Sequence, residues 1–175
     1  MPGANGTLRE VDGRPVLRFE RVLKHPPERV WRALTDPAEQ FSWHPTPARF
    51  ELEAGGRVEY LDGGYVAGMA TGEVTACEPP RLLAYTWPTG GEPVPKHLRW
   101  ELAPHDDGCL LTLVQSFDER DLAVDYSAGW HVCLDALAER LDGGRAVDER
   151  PRANRHDEPP YPELLALYER LYGSG

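Results

Sequence analysis

Basic side chains are in short supply: 19 Lys and Arg stand against 29 Asp and Glu, a formal net charge of −10, and only Lys24 and Lys96 are lysines. A general nucleic-acid binder needs the reverse balance, because phosphate neutralisation dominates that affinity. Anionic membrane surfaces disfavour an acidic chain for the same reason. Cysteine is also rare. Cys77, Cys109 and Cys133 are 32 and 24 residues apart with no C-x-x-C, which argues against a disulfide framework or a zinc site. No stretch approaches about 18 apolar residues, so no membrane-spanning helix is expected. The opening MPGANGTLREVDGR has no apolar signal-peptide segment. The histidines form neither H-x-x-x-H nor H-E-x-x-H. G-x-S-x-G and the glycine-rich phosphate loops are missing as well. These absences point to a cytoplasmic protein with no metal and no cofactor.

What is abundant is punctuation: 17 glycines and 17 prolines in 175 residues. That excludes a bundle of long helices and implies many short elements joined by turns. Two extended pieces, 7–11 and 15–24, meet at Asp12-Gly13, a hairpin signal. The second places Leu17, Phe19, Arg21 and Leu23 on one face. Pro26-Pro27 opens a helix over 27–36 with Val30, Trp31 and Leu34 as its apolar stripe, and Trp31 reads as packing. Asp36-Pro37 ends it, and a second short helix over 37–43 carries Phe41 and Trp43.

The period then changes from 3.6 to 2. Strands are predicted at 48–53, 57–62, 66–77, 81–87, 96–103 and 109–117, an antiparallel meander. Gly55-Gly56, Gly63-Gly64, Pro79-Pro80 and 105–108 break it. A loop over 88–95 reads as a rim beside Trp87. A helix over 124–142 places Tyr126, Trp130, Cys133, Leu134, Leu137 and Leu141 on one stripe, and Gly143-Gly144 caps it. Residues 145–160 read as a charged, proline-rich linker. A last helix over 161–172 is expected to dock outside the main core. The reading is therefore an α+β fold, with a curved antiparallel sheet wrapped around a long helix. One domain covers 1–144, and 145–175 forms a linker and helix docked on it.

The segment FERVLKHPPERVWRALTDPAEQFSW, residues 19–43, resembles the opening of the START-related, polyketide-cyclase-like superfamily. More closely it is similar to the branch named after the activator of the heat-shock-protein-90 ATPase. Pro27, Val30, Trp31, Leu34, Thr35, Asp36, Pro37 and Trp43 carry the likeness. Gly55-Gly56-Arg57, Gly72 through Leu82, Tyr85-Thr86-Trp87, Leu111-Thr112-Leu113 and Gly129-Trp130 extend it over roughly residues 15–142. The resemblance implies the helix-grip fold, with a hydrophobic pocket between long helix and sheet. Fold alone assigns no substrate.

On that fold the candidate ligand-binding residues are Trp43, Tyr60, Tyr85, Trp87, Trp100, Leu113, Gln115, Tyr126, Trp130 and Leu134. Aromatic rings supply area and stacking for a flat or greasy molecule, or else fill a core. Gln115 shares a face with Leu111, Leu113 and Phe117. Its amide therefore points inward and needs a partner: a ligand, a neighbouring side chain or a trapped water. His44, placed near the pocket mouth, and His131, on the flank of the helical stripe, have the intrinsic pKa of a general acid or base. Neither has an evident carboxylate beside it, and a structural role is the plainer one. Asp62, Glu73, Glu101, Asp118, Asp121, Asp125 and Asp135 form no paired-carboxylate site; those around the start of the long helix suit its dipole. Cys109 and Cys133 read as buried small hydrophobes.

Three functions follow. The first is binding of a small hydrophobic ligand. The second is a cyclase, aromatase or hydrolase that works by positioning, with His44, Gln115 and His131 as its polar groups. The third is a heat-shock-protein partner role, activation of its ATPase, which the family name alone implies. The last helix either covers its own domain or makes a homodimer contact, and the reach of 145–160 favours the first.

Overall fold

The computed structural model describes residues 4–44, 46–61, 71–87, 96–143 and 157–173. Asp62, the Gly63-Gly64 turn, the first part of the strand expected over 66–77, the 88–95 rim and most of the linker lie outside these residues.

Strands β1 (Thr7–Val11) and β2 (Arg14–Leu23) form the expected hairpin, with Asp12 and Gly13 in the left-handed region at its tip. Helix α1 (Pro27–Thr35) buries Val30, Ala33 and Leu34, while Trp31 packs half-buried against the core. Asp36 then caps α2 (Pro37–Gln40) by accepting the Ala38 N–H. This second helix is shorter than the 37–43 expected. The Gln40 carbonyl accepts the N–H groups of both Trp43 and His44 and closes the chain into a turn. Strands β3 (Ala48–Phe50), β4 (Arg57–Tyr60), β5 (Thr71–Glu78), β6 (Leu82–Trp87), β7 (Lys96–His105) and β8 (Gly108–Ser116) complete the sheet. Its order is β1-β2-β8-β7-β6-β5-β4-β3 and every pairing is antiparallel.

Register fixes which side chains face inward. Across β6, β7, β8 and β2 the inner face reads in rows: Trp87 beside Lys96, then Tyr85–Leu98–Gln115–Leu17, then Leu83–Trp100–Leu113–Phe19. All of these are buried except Trp87, which is half-buried. A 3-10 turn at Arg120–Leu122 leads into the long helix α3 (Ala123–Leu141). Near its start, Asp118 accepts a hydrogen bond from Arg14 at 2.8 Å, and Gly143 follows its end with φ of 80°.

The long helix is buried on two sides, wider than the stripe predicted for it. Trp130, Leu134, Leu137 and Leu141 belong to the main core, yet Ser127, His131 and Val132 are buried as well. The reason is α4 (Tyr161–Tyr172), which packs along α3. Tyr161, Leu164 and Tyr168 join the same apolar cluster as Phe19 and Trp130. The last helix was expected outside the main core. Its tyrosines instead reach into it, and their hydroxyls find polar partners there.

Candidate functional site

Where α3 faces the middle rows of the sheet, five aromatic rings meet. Trp130 from α3 lies with its ring centroid 5.5 Å from both Trp87 and Trp100. Trp43 lies 5.8 Å from Trp100. His44 sits among them, 4.9 Å from Trp43, 5.7 Å from Trp130, 6.1 Å from Trp87 and 6.2 Å from Trp100. Edge-to-face contact prevails, the geometry that sets positive ring edges against negative faces. Sequence reasoning placed His44 at a mouth. The structure places it inside, 3% exposed, because the turn after α2 directs both Trp43 and His44 inward.

The polar atoms of this cluster are wired to one another. The Thr46 backbone N–H donates to His44 Nδ1 at 3.0 Å. An amide N–H can only donate, so Nδ1 is unprotonated and the neutral ring carries its hydrogen on Nε2. That Nε2 faces Tyr85 Oη at 3.4 Å. Burial pulls the His44 pKa down to about 3, because a low-dielectric surrounding disfavours the cation. Trp100 Nε1–H donates to the same Tyr85 Oη at 3.2 Å. Burial raises the Tyr85 pKa, so the phenol stays protonated. Trp130 Nε1–H donates to Gln115 Oε1 at 2.7 Å. Of the partners open to the Gln115 amide, its oxygen has taken a neighbouring side chain. Trp43 Nε1–H donates to the Ala33 carbonyl at 3.1 Å, tying the cluster to α1.

The remaining candidates stand around this group. Tyr60 on β4 donates to the Thr86 carbonyl at 2.6 Å. Leu113 lies in the row between Trp100 and Phe19. Leu134 is buried on α3. Tyr126 meets Phe117 edge-on at 5.1 Å, and Lys96 Nζ stands 5.3 Å from the Tyr126 ring centroid. Lys96 was missed by sequence reasoning, although it is buried and inward-facing. The signal was present: position 96 has the parity of Leu98, Trp100 and Leu102.

His131 belongs to a different place, the seam between α3, α4 and β2. Tyr168 Oη accepts the Gly6 N–H at 2.9 Å and lies 2.9 Å from His131 Nδ1. The other ring nitrogen of His131 is 3.6 Å from Asp135, and Asp135 is 3.8 Å from the Arg21 guanidinium. A carboxylate does therefore stand beside this histidine, one helical turn on. Burial, opposed by Asp135, lowers the His131 pKa. His44 and Gln115 share the aromatic cluster, and His131 does not. Cys109 and Cys133 are buried thiols whose pKa values burial pushes up. Among the described residues no cluster of three or more His, Cys, Asp or Glu side chains is arranged to hold a metal, and no helix is long and apolar enough to cross a membrane.

A curved antiparallel sheet closed over one long helix, with aromatic side chains between them, defines the helix-grip class of the START-related superfamily. Residues 24–142 match the model of the family described as activator of Hsp90 ATPase homolog 1-like protein, and the chain belongs to that family. Similar solved structures include CalU16 from Micromonospora echinospora, 22% identical with a TM-score of 0.67, the match covering 97% of this chain and 94% of that one. A protein from Bordetella parapertussis, encoded by gene BPP1335, is 26% identical with a TM-score of 0.68, over 99% and 91% of the two chains. MLL2253 from Mesorhizobium loti is 29% identical with a TM-score of 0.63, over 75% of this chain and 99% of its own. No curated protein matches.

Proposed function

We propose that this protein binds a small hydrophobic molecule between the inner face of the sheet and α3. The observation that carries this reading is the aromatic cluster itself. Trp43, His44, Trp87, Trp100 and Trp130 gather from two strands, α3 and the turn after α2 at the grip, while half-buried Trp87 brings the cluster to the surface. Concave, mostly apolar sites with a few convergent polar groups are the usual form of small-molecule sites. The family fold supports the same reading. The ionisation of the cluster favours binding over proton transfer: His44 is neutral across the physiological range with both ring nitrogens engaged.

Native mass spectrometry of freshly purified protein, followed by a thermal-shift screen of hydrophobic metabolites, tests the proposal. A ligand at ~100-fold excess over its Kd adds about 2.7 kcal/mol to stability, which a melting curve resolves. A retained mass or a stabilising hydrophobe is expected. A clean apoprotein mass together with a flat screen would sink the reading.

A further inference from the structure

Hydrogen-bond donors outnumber acceptors in the seam between α3, α4 and β2. The Gly6 N–H donates to Tyr168 Oη at 2.9 Å, and the same oxygen lies 2.9 Å from His131 Nδ1. With the phenol oxygen accepting from Gly6, its hydroxyl donates to Nδ1, and the neutral ring carries its hydrogen on Nε2. That Nε2 faces the Asp135 carboxylate at 3.6 Å, beyond hydrogen-bond reach. The Arg21 guanidinium stands 3.8 Å from the same carboxylate. Arg21 Nη1 donates to the Ala4 and Glu20 carbonyls at 2.6 and 3.0 Å. Arg21 Nε, Arg21 Nη2 and His131 Nε2 are buried with no hydrogen-bond partner among the described residues. The groups around His131 are thus Asp135 on its own helix, Arg21 on β2, and Tyr168 with Tyr172 behind it on α4. Burial raises the pKa of both phenols, so they stay protonated. The N-terminal arm presents the Gly6 backbone.

A proton arriving from solvent has to go to Nδ1, the ring nitrogen that still carries a lone pair. It adds a donor where donors are already in surplus. Nδ1–H and the Gly6 N–H then face one phenol oxygen, and the Tyr168 hydroxyl loses its acceptor. The new cation is 1% exposed and shares one carboxylate with Arg21. Buried donors without partners and buried like charges are both costly. We propose that protonation of His131 undocks α4 together with the N-terminal arm, so that the seam is a proton-operated latch on the second buried face of α3. Tyr168 and Tyr172 both hold Gly6, which ties the two segments into one event. Gly6, Arg21 and Tyr168 all lie outside the residues 24–142 that match the family, so the latch is built largely on the flanking segments. Burial lowers the His131 pKa in the docked form, opposed by Asp135 and reinforced by Arg21. Undocking returns the ring to water and to its usual value near 6.5. The undocked form therefore binds the extra proton, and docking weakens as pH falls below about 6.5. The latch stands apart from any ligand at the grip.

Amide hydrogen exchange of the full chain between about pH 7.5 and 5, corrected for the intrinsic rate, tests this. The Gly6 and α4 amides should open together and more readily than those of β7 and β8. Their protection should fall by up to about tenfold per pH unit below about 6.5, the limit for one linked proton. In His131→Asn the side-chain oxygen can still accept the Tyr168 hydroxyl but binds no proton. There α4 protection should no longer depend on pH, while β7 and β8 keep the dependence that belongs to His44. Ring ¹⁵N spectra of the wild type give a second readout that needs no variant. They should show His131 at pH 7.5 with its hydrogen on Nε2, titrating in step with the α4 signals. Protection of α4 that is flat with pH in the wild type would overturn the latch. So would a slope that survives in His131→Asn, a ring hydrogen on Nδ1 at pH 7.5, or α4 and β7 amides that exchange at one common rate throughout.

Discussion

His44 shows how a titratable side chain can serve as architecture. Its two nitrogens bridge a backbone amide and a phenol, and aromatic rings surround it. Its pKa lies near 3 in the fold against about 6.5 in the unfolded chain. The unfolded state therefore binds the extra proton first, so stability is full above about pH 6.5 and is lost as pH falls toward 3. His131, lowered in the same direction by burial, adds to the trend. Neutral His44 contributes a slope of up to about 1.4 kcal/mol per pH unit in that window. Urea denaturation between pH 7 and 4.5 should show this slope, and His44→Gln should reduce it by about one histidine's share. An unchanged slope would mean that His44 is solvated. At the same scale, Tyr168→Phe removes the acceptor of the Gly6 N–H and the partner of His131 Nδ1. The expected cost is about 1–3 kcal/mol, together with faster hydrogen exchange at the Gly6 amide.

Between elements, two polar staples carry more than their residue types announce. Gln40 is fully buried at the end of α2. Its side chain donates to the carbonyls of Leu34 and Ala48 and accepts the Ala48 N–H, at 2.9, 3.0 and 2.7 Å. It thereby joins α1 to β3 and holds the turn that presents Trp43 and His44. Gln40→Ala should cost about 2–4 kcal/mol by chemical denaturation and should perturb the indole signals of Trp43 and Trp100. Loss of stability without that perturbation would separate Gln40 from the site. The second staple joins α4 to the N-terminal arm. Tyr168 and Tyr172 bond the N–H and the carbonyl of Gly6. A Cβ at Gly6 would stand 2.3 Å from the Phe19 ring, so Gly6→Ala should displace the arm and lower the melting temperature. An unaltered melting curve would show that the arm does not bear on α4.

For the whole molecule, much of the architecture was legible beforehand. Alternating Leu111, Leu113, Gln115 and Phe117 marked the inner face of β8, and Pro26-Pro27 and Asp36-Pro37 framed α1. Trp100, Gln115 and Trp130 also emerged from periodicity alone. What periodicity does not carry is long-range pairing. His44 follows a turn rather than a strand face, so nothing local shows that it points inward. Gln115 meets Trp130 only once the sheet curves beneath α3. The depth of α4 depends on hydroxyl partners from the opposite end of the chain. The same reasoning defines the central claim, that the grip between sheet and α3 is where a small molecule sits. An ¹⁵N–¹H map of the protein titrated with 1-indanone tests it most directly. The account predicts saturable shifts at the Trp100 and Trp130 indole N–H signals and along β6 to β8, with Gly6 and the α4 amides unmoved. Saturable shifts confined to the α4 seam or to the outer face of the sheet, with the two indole signals unchanged, would contradict it.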